Sequence, residues 1–175
     1  MVVARAEVPV IVHRPLDTSK RVALPRPVMV GVPGDDMSEP VVAFAFEEAA
    51  LRGAKLMAVH AWSLPADASP EYLDPCGYDA ARARAQAERT LTWALERWSE
   101  KYPEVRVHLA ARHSLDVPVA LTAASRSAQL AVVGGHCHPG VLRPSVGSTA
   151  QVLLRRAGCP VAVVPIGRTV GPIRT

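Results

Sequence analysis

Short, uninterrupted apolar runs alternating with segments of helical spacing confine this chain to a narrow set of folds. The runs are Val28–Val32 (VMVGV), Leu130–Gly134 (LAVVG) and Pro160–Pro165 (PVAVVP), and a longer strand, Ala54–Trp62 (AKLMAVHAW), is broken only by Lys55 and His60. Short runs that are apolar throughout, rather than at every second position, are expected of strands covered on both faces. A further strand, Val105–Ala110, alternates instead. Between them lie helical patterns. Ser38 and Glu39 open Pro40–Arg52, where Val41, Ala45 and Ala49 recur every fourth residue, and Gly53 closes it. Asp79–Lys101 is the clearest helix, with Asp79 as its N-cap and Ala80, Ala83, Ala87, Leu91, Ala94 or Leu95 and Trp98 along one stripe. Asp116–Arg126 carries Pro118 in its first turn, and Ser148–Ala157 is a short helix. Ser63–Gly77, with Pro65, Pro70, Pro75 and Gly77, reads as a loop. Strand–helix alternation with crossovers of this length specifies an α/β fold, a doubly wound parallel sheet with helices on both faces. Such sheets take ligands beyond the carboxyl ends of their strands, where strand order reverses. The loops after Val32 and Val133 meet there.

Composition excludes several function classes. With 175 residues, 49% of them hydrophobic, the chain can build one ordinary domain with a sizeable core plus tails. The net charge of +4 is modest, and Arg82, Arg84, Arg89 and Arg97 are interleaved with Glu88, Glu96 and Glu100. This is a solvated helix surface rather than a nucleic-acid track. Two phenylalanines and three tyrosines offer little material for stacking bases. Cys76, Cys137 and Cys159 are odd in number and lack framework spacing, as expected of reduced thiols in the cytoplasm. The opening Met-Val-Val-Ala-Arg-Ala-Glu does not resemble a signal peptide. No run reaches the roughly 18 apolar residues that span a bilayer. A soluble cytoplasmic protein without membrane or nucleic-acid partners is expected.

The segment Gly134-Gly-His-Cys137-His-Pro-Gly140-Val-Leu-Arg-Pro-Ser-Val-Gly147-Ser148-Thr149 carries the chemistry. A strand ending in glycine, a loop, then Gly-Ser-Thr opening a helix is suited to holding phosphate. Glycine admits close backbone approach, and the first helical amides lack internal partners. Ser148 and Thr149 can cap the helix or donate to phosphate oxygen. His136-Cys137-His138 is read as loop rather than as a metal site, since adjacent residues seldom converge on one ion. His60 is read as a hydrogen-bonded core histidine, Cys159 and the tryptophans Trp93 and Trp98 as packing or interface, and Ser125 and Ser127 as turn chemistry. Neither a Gly-x-Ser-x-Gly elbow nor a Gly-x-x-x-x-Gly-Lys-Ser/Thr loop occurs. No catalytic residue is assigned, and an enzyme is not expected.

Arg5-Ala-Glu-Val-Pro9-Val-Ile-Val12 is similar to Arg156-Ala-Gly-Cys-Pro160-Val-Ala-Val163. Read as a repeat, it means that the chain opens with the last strand of a preceding copy of the domain. Residues 8–12 should then form a strand beside residues 160–164. The organisation expected is a tail over 1–27 with that strand and a proline-bearing linker, a domain over 28–167, and a tail over 168–175.

In these residues the chain resembles the universal stress protein family. Val28-Met-Val-Gly-Val-Pro-Gly-Asp-Asp resembles the family's opening strand, usually Val-Gly-Val-Asp-Gly-Ser. Ala49-Ala-Leu-Arg-Gly-Ala-Lys-Leu-Met-Ala-Val-His60-Ala61-Trp62 resembles its first helix end and second strand. Ala124–Gly134 and Gly147-Ser148 with Cys159-Pro-Val-Ala-Val-Val are similar to its fourth strand and its closing helix and strand. The resemblance implies a five-stranded parallel sheet in order 3-2-1-4-5 and pairing of copies, or of tandem domains, through the fifth strands. It further implies ATP or another adenine nucleotide as a regulatory ligand. Gly134, Gly135, Cys137, Gly147, Ser148 and Thr149 would hold the phosphates, Ala61 the base edge by its backbone, and Gly34 the ribose side. Gly134 and Gly147-Ser148 keep the spacing of the family's nucleotide-binding branch, while Cys137 replaces its middle glycine and Pro33 its aspartate. The alternative is a dimeric interaction scaffold that has lost the nucleotide.

Overall fold

The structure, a computed structural model, describes residues 6, 8–13, 25–34, 39–62, 78–136 and 146–166. Its elements are β1 (Val10–Val12), β2 (Val28–Gly31), α1 (Glu39–Leu51), β3 (Leu56–Trp62), α2 (Tyr78–Lys101), β4 (Val107–His113), α3 (Val117–Ser125), β5 (Leu130–His136), α4 (Ser148–Arg156) and β6 (Val161–Ile166). They form one six-stranded sheet in the order β1-β6-β5-β2-β3-β4. The parallel set β4-β3-β2-β5-β6 has the implied 3-2-1-4-5 order, but the sheet holds six strands rather than five. The extra strand is β1, which pairs antiparallel to β6 with Val10 opposite Val163, Ile11 opposite Ala162 and Val12 opposite Val161. It takes the edge that the resemblance assigns to a partner's strand.

Pleating divides each apolar run between two cores, because successive strand residues point to opposite faces. Val28, Val30 and Val32 join Leu56, Ala58, Leu130, Val132, Ala162 and Val164 under α1 and α2, against Val42, Phe46, Leu91 and Leu95. Met29 joins Met57, Val59, Ala131, Val133, Val161 and Val163 under α3 and α4, against Leu121, Ala150 and Leu153. Burial on both faces is why these strands are apolar throughout. In α2 the buried side is Ala87, Leu91 and Leu95, with Ala94 and Trp98 half-buried, whereas Ala80 and Trp93 are exposed.

Several boundaries move because ladder partners set strand length. β4 runs to His113, beyond Ala110, since it pairs with β3 from Leu56 opposite Val107 to Trp62 opposite His113. β5 runs to His136 because Gly134, Gly135 and His136 continue the ladder against Val164, Pro165 and Ile166. Gly134 and Gly135 therefore lie inside a strand, not at the mouth of a loop. α2 begins at Tyr78, so Asp79 lies inside its first turn rather than at the N-cap.

Polar groups fasten the helix ends. Asp116 caps α3, its Oδ1 accepting from the Val119 amide at 3.0 Å. The fully buried Ser125 donates to the Thr122 carbonyl at 2.7 Å and accepts from the Gly158 amide at 3.0 Å, tying the end of α3 to the turn before β6. Ser127 donates to the Ala124 carbonyl at 2.9 Å. Both serines have the turn role expected of them.

Candidate functional site

Strands β2, β3 and β5 end side by side, and β2 and β5 adjoin where the chain changes direction across the sheet. A hollow of about 520 Å³ opens above them. That volume suits a small organic ligand. Its floor and walls are Val32, Pro33 and Gly34 after β2, Val59 to Ala61 on β3, Val133 and Gly134 on β5, Val117 and Leu121 of α3, residues 147–150 at the start of α4, and Ile166. Gly34, Ala61, Gly134, Gly147, Ser148 and Thr149 are thus brought together, though they are far apart in sequence. Gly135 is not among them: a Cβ there would point at Val163 Cγ1, 2.7 Å away in the α4-side core. Cys137 and His138 lie outside the described residues.

Gly134 has a packing reason to be glycine. An added Cβ would overlap Ile166 Cδ1 and stand 3.3 Å from Val41 Cγ2. The strand passes under Ile166 rather than clearing space for phosphate. Gly147 is different. Its φ of 80° and ψ of 148° put it where side chains are strongly disfavoured. It turns the chain into α4, whose first internal bond runs from the Gln151 amide to the Gly147 carbonyl at 3.1 Å. The amides of residues 148–150 precede that ladder, and the N-cap residue, a glycine, has no side chain with which to cap them. α3 opens beside the same hollow but carries the Asp116 carboxylate on its own amides. An anion entering here is steered to α4, not α3.

Strand alternation also fixes what Ala61 offers. The Val59 carbonyl accepts from the Val32 amide at 2.9 Å, so Val59 directs its backbone groups toward β2. Two residues on, Ala61 directs its N–H and C=O the same way, but β2 has ended. The opposite side of β3 stays paired with β4, Trp62 accepting from the Ser114 amide at 2.9 Å. Ala61 therefore presents one donor and one acceptor to the hollow.

His60, expected in the core, is half-buried and lines the hollow. Its Nδ1 is 2.9 Å from the Val32 carbonyl, which can only accept, so Nδ1 carries the proton. The bond braces the β2 tip, and the ring stands beside Gly34, whose added Cβ would lie 3.4 Å from Cε1. The apolar walls, Val117, Leu121 and Ile166, were not assigned from sequence; the only signal for them was their position at strand and helix ends. Cys159 is buried under α4, and burial pushes its thiol up to about 11 against the weaker opposing pull of Arg26. Among the described residues there is no cluster of metal-ligating side chains and no helix long and apolar enough to cross a membrane.

Comparison with known proteins agrees with this arrangement. The model of the universal stress protein family matches residues 25–165. Universal stress protein Rv2005c of Mycobacterium tuberculosis is 39% identical over 138 residues, which are 78% of this chain and 44% of that protein. The chain thus spans less than half the length of this relative. Universal stress protein UspA from Lactobacillus plantarum has the same fold, with a TM-score of 0.63 at 19% identity over 82% of this chain and 99% of its own. A universal stress protein from Archaeoglobus fulgidus DSM 4304 gives a TM-score of 0.60 at 18% identity, over 95% of this chain and 54% of its own. With the sheet order, the family model and the mycobacterial relative in agreement, this chain belongs to the universal stress protein family.

Proposed function

We propose that the chain is a cytoplasmic stress-response protein whose hollow binds an adenine nucleotide, ATP or a close relative, as a regulatory ligand that it does not turn over. One observation carries the reading: a single hollow holds an open backbone donor–acceptor pair at Ala61 and the start of α4 at Ser148–Thr149, where the N-cap is a glycine without a capping side chain. The first matches the hydrogen-bonding edge of a purine, and the second matches phosphate. Val32, Val59, Val117 and Leu121 give the base an apolar slot between them. Gly34 and His60 lie on the ribose side. Ser148 and Thr149 add hydroxyls where the amides point.

Pro33 favours a second reading, an interaction scaffold without nucleotide. It lines the hollow at the β2 tip and supplies neither a carboxylate nor an amide proton. The two readings separate on denaturing the purified protein and weighing what is released. Adenine nucleotide in the supernatant, at a substantial fraction of the protein, is the expected result. Pro33→Asp should then tighten binding about tenfold or more, the worth of one hydrogen bond to a charged group. Protein that releases no nucleotide, and in which Pro33→Asp creates no binding, belongs to the scaffold reading.

A further inference from the structure

The two similar strings, Arg5–Val12 and Arg156–Val163, end in the two strands that pair at the edge of the sheet. Superposing Pro9 on Pro160 makes Val10 equivalent to Val161, Ile11 to Ala162 and Val12 to Val163. The observed ladder sets Val10 opposite Val163, Ile11 opposite Ala162 and Val12 opposite Val161. Ile11 therefore faces its own equivalent, and its two neighbours face each other's. A two-fold axis between Ile11 and Ala162 produces this pattern. Two copies of β6 related by a dyad at Ala162 would pair in the same register, as an isologous contact requires.

We propose that β1 stands in for the β6 of a second copy of this chain. It plugs in cis an edge that is self-complementary, and displacing it lets two chains pair β6 to β6. The plug is short and peripheral. It has three residues, none belongs to either core cluster, and Ile11 is 44% exposed. The strand beneath is the opposite: Val161–Val164 is buried and apolar, an edge that would seek another strand if bared. Pro165 lies past the stretch that β1 covers, where its missing amide interrupts no bond to the plug.

The test uses the full chain with Cys76→Ser, Cys137→Ser and Cys159→Ala as background. Adding Ile11→Cys and Ala162→Cys should give, on oxidation, a disulfide within one chain, because the pair is directly opposed in the ladder. Adding instead Val10→Pro, Ile11→Pro and Ala162→Cys removes the amides that β1 can donate from these positions. That variant should double its mass by light scattering and oxidise to a dimer joined at position 162. Ala162→Cys alone, with β1 intact, should stay monomeric. A proline variant that keeps its helical circular dichroism yet remains monomeric overturns the proposal. So does an Ile11→Cys/Ala162→Cys disulfide that joins two chains, or a covalent dimer from Ala162→Cys alone. Should the proline variant lose its fold, Ile11→Asp with Ala162→Cys, which sets a charge in the plug and leaves the domain's cores untouched, is read in the same way.

Discussion

Gly134, Gly135 and Gly147 look alike in sequence and do three different things. Gly134 yields space to Ile166, Gly135 yields space to Val163, and Gly147 alone has the backbone angles that only glycine accepts comfortably. Gly147→Ala should therefore cost about 1–3 kcal/mol of stability in chemical denaturation and weaken nucleotide binding along with it. An unchanged midpoint would mean that the turn into α4 relaxes at no cost. His60 shows how one bond redefines a residue. A histidine on an apolar strand reads as core, yet the Val32 carbonyl fixes its tautomer and turns the ring to the rim of the hollow.

Elements were legible where their own residues decide them. The apolar runs marked β2, β3, β5 and β6 because both faces of each are buried, and Pro118 with Asp116 marked the start of α3. Strand ends were not legible where a neighbour sets them. Nothing in Arg112 and His113 predicts a strand until β3 is seen alongside, and Gly134–His136 reads as loop until β6 extends the ladder. The site followed the same division: Gly147 and Ser148 came from the strand–loop–helix pattern and Ala61 from the resemblance, and they meet in the fold, while Val117, Leu121 and Ile166 depended on packing alone. The turn into β6 carries its own prediction. Cys159 has an ordinary thiol value of 9.0, raised by burial to about 11. Below pH 9 the thiol is neutral in both states and stability is unaffected. Between pH 9 and about 11 the unfolded chain ionises while the folded chain resists, so stability falls as pH rises. In urea titrations across that window, Cys159→Ala should flatten this part of the decline. An unchanged slope would assign the decline to other groups.

The molecule as a whole is a sheet with one edge plugged by β1 and the other ended by β4. On β4, the edge strand, His108, Arg112 and His113 are exposed, a charged and polar border that discourages further strands. Between these edges the strand tips carry the hollow described above, and the proposed function depends on what enters it. Calorimetric titration of ATP into the full chain and into Ala61→Pro examines this most directly. Proline there removes the amide aimed at the hollow and leaves the bonds to β4 intact. The account predicts saturable binding to the unaltered chain with one nucleotide per chain, and loss of about tenfold or more in Ala61→Pro at unchanged secondary structure. No heat at millimolar ATP from a folded chain freed of any copurified nucleotide, or equal affinity in the proline variant, would contradict it.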